Sequence, residues 1–205
     1  MSNQSEVFVK RAGADEAALV GEILGDAFGA DPVMRWISAD PEFPKWGLPV
    51  AVRLFLLQHP HNEVHVTEGG SGAALWLPPG VKLSMRPSLG VLWHAWWRFG
   101  AGSILRFFQY MSMVEKHHLK DNLYYLFAIG VRSASQGQGI GSALLEHILQ
   151  ECDRRKVGAH TETSTSRNVA FYQRHGFEVR TEIALPRNGP PIWLMYREPV
   201  PAQEQ

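Results

Sequence analysis

The chain has 205 residues, 45% hydrophobic and 20% charged, which suits one soluble domain with a substantial core. Its 20 Lys and Arg balance 20 Asp and Glu, so the basic excess typical of a nucleic-acid binder is missing. The single cysteine, Cys152, excludes an intramolecular disulfide, fits a reducing compartment and lies in a helical context that suits a packed thiol better than a nucleophile.

The opening stretch MSNQSEVFVK shows no apolar signal core, no segment reaches the roughly 18 apolar residues of a membrane span, and Ser2 stands where myristoylation needs Gly. The expectation is a cytoplasmic protein with no membrane or nucleic-acid partner. Residues 7–9 alternate with charge and predict a short strand, and a helix follows from Asp15, with Leu19, Ile23, Leu24 and Ala27 on one face. Asp31-Pro32 breaks that helix, because proline cannot continue the hydrogen-bond ladder. An amphipathic segment over 44–58 carries Leu48, Val52, Phe55 and Leu56. EVHVTE, GGSG and AALWLPPG then read as strand, turn and strand, stopped by Pro78 and Pro79.

Residues 88–118 have helical period, interrupted by Gly100 and Gly102, and are dense in aromatics, including Trp93, Trp96, Trp97, Phe107 and Tyr110. Three readings fit these rings: core packing of a helical insertion, an aromatic wall for a substrate, or a membrane-surface helix, for which the basic residues are sparse. LYYLFAIGV, ending at Val131, is a β-rich apolar run of the kind buried on both faces. A helix over 139–156, a strand in VGAHTETS, a short helix in RNVAFYQRHG and two strands, FEVRTEIAL and PIWLMYRE, complete the order. The tail VPAQEQ is expected to be mobile. With no internal repeat or linker, the expectation is one domain over 1–205, α/β in class, built on a mixed sheet with helices on its faces and a helical insertion near 83–118.

Between LYYLFAIGV and the following helix lies SQGQGIG, with glycines at 137, 139 and 141. A strand, a glycine-rich loop and a helix make an anion site, because first-turn amides lack intrahelical acceptors and glycine lets a phosphate approach the backbone. No Lys follows these glycines, which excludes the P-loop, and Ser142 stands where the dinucleotide fingerprint needs its third glycine. What remains is Q-x-x-G-x-G, on Gln136, Gly139 and Gly141, directly after a strand. It resembles the pyrophosphate loop of the GNAT N-acetyltransferase superfamily.

Downstream, HTETSTSRNVAFYQRHGFEV supplies the strand, the short helix with Asn168 and Tyr172, and the Gly176-Phe177 step found in that superfamily. The ETS-x-x-RN-x-x-FY-x-R-x-GF pattern, the Ala27-Phe28 and Asp31-Pro32 pairs and ALWLPP are similar to puromycin N-acetyltransferase and its relatives. The likeness is tight over 123–196, looser over 8–79 and weakest over 83–118. It implies the GNAT fold, a mostly antiparallel twisted sheet with helices on both faces, and direct acetyl transfer from acetyl-CoA to a small-molecule primary amine by a monomer or homodimer. It further implies that Gln136, Gly137, Gln138, Gly139, Ile140, Gly141 and Ser142 hold the pyrophosphate. Ile129, Gly130 and Val131 would serve the pantetheine and acetyl carbonyl along a bulged or splayed strand, which an isolated strand glycine such as Gly130 agrees with.

In the same resemblance Tyr172 is the acid for the departing thiolate, with simple core packing as the alternative. Asn168 bonds the pantetheine arm or caps its own helix. Many members of the superfamily carry a carboxylate on the strand before the loop, and this strand has none. Glu162 is the best replacement base; His160, two residues earlier, shares its face, although a solvated pair at a strand edge explains both equally. Asp121 and His118 are weaker candidates, and Asp31 and Trp36 are expected by analogy to line the acceptor groove. His59, His61 and His65 have no recognised ligand spacing, so no metal is expected. The missing strand carboxylate also leaves open a catalytically silent CoA-binding module, and protein acetylation would require an open groove.

Overall fold

The structure is a computed structural model and describes residues 7–59, 61–117 and 122–200. The end of the tail, over 201–205, and the base candidates His118 and Asp121 lie outside these residues.

The hydrophobic alternation of the strands builds one sheet. β1 (Val9–Arg11), β2 (Glu63–Thr67), β3 (Gly72–Leu77), β4 (Tyr124–Val131), β5 (Ala159–Thr163), β6 (Glu178–Ala184) and β7 (Pro191–Arg197) lie in the order β1-β2-β3-β4-β5-β7-β6. Among the described residues every pairing is antiparallel except β4 with β5. Because successive side chains alternate, Ala74 and Trp76 of β3 face one layer while Ala73, Leu75 and Leu77 face the other. On the first face α6 (Ile140–Arg155) packs through Leu144, Leu145, Ile148 and Leu149. Cys152 belongs to this core, and burial pushes its thiol up to about 12, which makes it inert. On the second face α1 (Ala17–Ala27) and α3 (Phe43–Gln58) supply Val20, Ile23, Leu24, Leu48, Val52 and Phe55.

The expected break at Asp31-Pro32 is also a start. Proline is tolerated in the first turn of a helix, and Asp31 Oδ1 accepts from the amides of Val33 (2.9 Å) and Met34 (3.0 Å), capping α2 (Pro32–Ile37). The molecule therefore has three helices before the β2–β3 hairpin where the sequence pattern gave two. A single 3₁₀ turn, Ala14–Glu16, precedes α1, with the Gly13 amide donating to Glu16. The first strand sits slightly later than expected, because Val9, Lys10 and Arg11 are the residues that pair with β2.

The aromatic segment splits at Gly100, whose φ of +81° suits glycine, into α4 (Leu89–Phe99) and α5 (Ala101–His117). Core packing accounts for only part of it. Phe99, Phe107 and Tyr110 pack against a third core formed by α2, β6 and β7. Leu89, Trp93, Trp96 and Trp97, by contrast, share one helical face of α4 and point outward, with Trp97 76% exposed. Ala95 is the residue of α4 that is buried, so the helix seats on its small side.

No helix among the described residues is long and apolar enough to cross a membrane. Nor is any group of three or more His, Cys, Asp and Glu there disposed to hold a metal ion. The histidines singled out in the sequence turn to different partners: His59 bonds Ser84, and His65 packs on His147 with its pKa lowered to about 4 by burial.

Candidate active site

The site lies where the sheet opens. β4 and β5 pair only over 124–126 against 159–161, and beyond Leu126 the two strands part. Opposite, Leu75 pairs with Ala128 and Trp76 with Leu126, so Phe127 is the extra residue of a β-bulge. The Arg132 amide donates to Ser71 on the β3 side (2.8 Å), and alternation turns the amides of Ile129 and Val131 to the open edge. The expected splay is present, but Gly130 has a different cause. A Cβ there would sit 2.7 Å from that of Ala27 and 2.9 Å from Leu24 Cδ2, so the glycine admits α1 and the bulge lies at Phe127.

The glycine loop bends through two left-handed residues, Gly137 (φ +79°) and Gly139 (φ +81°). A Cβ at either would meet no heavy atom within 4 Å, so the backbone there is bare and faces open space. Gly139 is the N-cap of α6 and offers no side-chain acceptor, leaving the first-turn amides of Ile140, Gly141 and Ser142 for an outside acceptor. Gln136 Nε2 bonds Val131 O at 3.2 Å and ties loop to strand, and Ser142 Oγ is hydrogen-bonded to His175 at 3.0 Å.

A cleft of about 790 Å³ joins the loop to the gap between the strands. Ile129, Gly130, Val131, Gln136, Gly137 and Gly139 through Ser142 line it, and Asp31, Glu162, Asn168 and Tyr172 open on it as well. Asn168 does not cap its helix. Thr165 does, accepting from the Asn168 amide at 3.2 Å, so the Asn168 side chain is left to the cleft in α7 (Ser166–Gln173).

Glu162 is the most perturbed carboxyl on the cleft. Burial raises it from 4.5 to about 7, against the opposing pull of hydroxyls from Tyr125 (2.6 Å) and Tyr110 (3.5 Å), both donating to Oε1. Asp31 is also raised by burial, although its oxygens accept from Val33, Met34 and Ser164. Tyr172 is buried beside Thr161, and burial raises its pKa further, so it stays protonated throughout the neutral range.

Three expected residues stand apart from the cleft lining. The His160 ring stacks on Tyr125 at 4.6 Å and does not line the cleft. Trp36 donates through Nε1 to Pro186 O at 3.2 Å and packs against Gly189, pinning α2 to the β6–β7 turn. Gln138 is exposed in the loop. Conversely, Tyr125 and Tyr110 were not foreseen. A tyrosine in a buried strand needs a partner for its hydroxyl, and that requirement was the available signal for Tyr125. Arg167 and Arg174 also line the cleft, on α7 and just after it.

An uncapped helix behind bare glycines, beside a parted pair of parallel strands, is a built site for a long anionic ligand. Residues 96–179 match the family model described as an acetyltransferase (GNAT) domain. The fold is that of the GNAT acetyltransferases. Fold and domain together identify an acetyltransferase. An uncharacterized N-acetyltransferase of Schizosaccharomyces pombe is 26% identical over 93% of this chain and 83% of its own length. A solved structure of "histone acetyltransferase HPA2 and related acetyltransferase" from Corynebacterium glutamicum superposes with a TM-score of 0.68 at 21% identity, covering 96% of this chain and 99% of that one. The NatC complex bound to Gag peptide and CoA contains a chain of the same GNAT fold, with a TM-score of 0.54 at 15% identity over 95% of this chain and 99% of that one.

Proposed function

We propose that the protein transfers acetyl from acetyl-CoA directly to a small-molecule primary amine. One observation carries the reading: Glu162, a carboxyl with a pKa of about 7, opens on the same cleft as the uncapped α6 amides and the protonated Tyr172. An ordinary glutamate near pKa ~4.3 is a poor proton acceptor for an ammonium, whereas one near neutrality is half ionised and basic enough to serve.

The residues fit the cosubstrate. The amides of 140–142 and the bare backbone of Gly137 and Gly139 would hold the pyrophosphate. The Ile129 and Val131 amides and Asn168 would hold the pantetheine arm. Acetyl-CoA supplies the acetyl group there as a thioester. Glu162 takes a proton from the ammonium, either directly or through water. The amine nitrogen then bonds the acetyl carbon as the carbon–sulfur bond breaks. The open-edge amides of β4 face the charge that grows on the carbonyl oxygen, Tyr172 gives its proton to the leaving sulfur, and the second proton that the nitrogen sheds on becoming an amide restores the Tyr172 hydroxyl. Cys152, buried in the α6 core, is no acyl carrier.

The finer likeness to puromycin N-acetyltransferase rests on the segment from Glu162 to Phe177 and on ALWLPP. Release of free thiol from acetyl-CoA in the presence of a panel of primary amines, with acetyl-CoA binding followed by calorimetry, tests the reading. Amine-dependent thiol release supports it. Tight binding with no release for any amine assigns the chain to the silent CoA-binding modules, and no binding at all overturns the reading of the loop.

A further inference from the structure

The cleft is chemically divided along its length. At the α6 end its charged residue is Arg174. Arg174 lies over the Phe171 ring (5.9 Å), and that ring in turn faces Gly141 of the loop, so this cation borders the site of the anionic ligand. Towards the opposite end stand the carboxyls Asp31 and Glu162, with Arg167 three residues after Ser164, the partner of Asp31. The walls around them are Phe28, Val33, Met34, Phe127 and Ile192, closed by Tyr110 from α5. These come from five separate elements that meet in the second and third cores, so the apolar lining is fixed by packing rather than by a mobile loop.

The two carboxyls are not equivalent. Asp31 Oδ1 is engaged by two amides of its own helix, and Oδ2 accepts from Ser164 at 3.1 Å. Glu162 is therefore the carboxyl best able to meet an ammonium, since the hydroxyls of Tyr110 and Tyr125 both donate to one of its oxygens, Oε1. One cationic head can be matched here, but several cannot, since each further ammonium would be buried against Phe28, Met34 or Ile192 without a counter-charge. A hydroxyl-rich amine would likewise leave its donors unmatched on these walls.

We propose that the acceptor is a primary monoamine bearing an aromatic or aliphatic body, with its ammonium on Glu162 and its body against Phe28, Met34, Phe127 and Ile192. This rests on the acetyl-transfer reading above.

The test begins with CoA titrated into the protein by calorimetry. With CoA saturating, 2-phenylethylamine, isoamylamine, spermidine and kanamycin are then titrated in turn, and each is also assayed for acetylation with acetyl-CoA. The expected result is that the two monoamines bind at least tenfold tighter than spermidine or kanamycin and are acetylated in the same order. Replacing Met34→Arg should weaken monoamine binding at least tenfold and leave CoA affinity unchanged, which also reports that the variant is folded. If CoA binds but spermidine or kanamycin is preferred, or none of the four binds, the acceptor class is wrong and acetyl transfer stands. Monoamine binding unaffected by Met34→Arg overturns the assigned pocket. If CoA itself fails to bind, the acetyl-transfer reading falls with it.

Discussion

The two ends of the cleft are built from different material. The α6 end is made of backbone: left-handed glycines, uncapped first-turn amides and the edge of a strand freed by the parting of β4 and β5. The opposite end is made of side chains from α1, α2, α5, β4, β5 and β7. Backbone recognition constrains sequence narrowly, because only glycine combines a φ near +80° with an unobstructed approach. Side-chain recognition can be composed from many residue sets brought together by the fold. A single sequence therefore displays the first end as a motif and hides the second.

The sharpest way to break this comparison is to remove chemistry at the side-chain end and see whether the backbone end notices. Glu162→Gln keeps the size of the side chain and removes its basicity. Loss of a general base costs roughly 10²- to 10⁴-fold in rate, so kcat should fall by that amount while the calorimetric affinity for acetyl-CoA is retained. A variant that keeps its kcat would remove Glu162 from the mechanism. Tyr172→Phe comes next. A thiolate with a pKa near ~8.5 leaves readily without help, so the loss in kcat should be about tenfold rather than the larger factors seen with poor leaving groups. An unchanged kcat, under conditions where chemistry limits the rate, would return Tyr172 to a packing role in the α6 core.

Gly139→Ala probes the other end. A left-handed φ costs a residue with a Cβ about 1 kcal/mol, and the new methyl enters the space in front of the uncapped amides. The Michaelis constant for acetyl-CoA should rise about tenfold, with kcat changed less than about threefold. If kcat collapses instead, the two ends of the cleft do not act separately.

How far the sequence exposed this arrangement follows the same line. The hairpin, the strand before the loop, the α6 start and the α7 position of Tyr172 were all readable from period and glycine placement, since each depends on contacts close in sequence. The extra helix α2 was not, because Asp31-Pro32 signals an end and a beginning in the same two residues. Gly130 was noticed, but for the bulge that Phe127 makes; the approach of α1 to a strand about a hundred residues away has no local signature. Glu162 was legible as a carboxyl on the strand after α6, which lines the cleft. Its tuning was hidden, because it depends on Tyr125 from the neighbouring strand and Tyr110 from the aromatic insertion. The four exposed apolar residues of α4 mark where composition misled most: aromatic density suggested core, and the helix buries its alanine instead.

The smallest effect bears on that hidden tuning. The Tyr125 hydroxyl donates to Glu162 Oε1 at 2.6 Å, and a donor bond to a carboxylate favours its charged form. It therefore opposes the burial that lifts this carboxyl to about 7. In Tyr125→Phe the opposition is lost, and the pKa of Glu162 rises further. The base must be ionised to act, so activity declines as pH falls through this pKa, and the acidic limb of the kcat profile should move to higher pH in the variant, by up to about one pH unit. At pH 8.5 the two enzymes should turn over alike, and at pH 6.5 the variant should be several-fold slower. A uniform loss at every pH would mean that Tyr125 holds the strand in shape and does not tune the base. A limb that moves to lower pH would mean that the Tyr125 hydroxyl stabilises the neutral acid, which reverses the direction of the bond read from the structure.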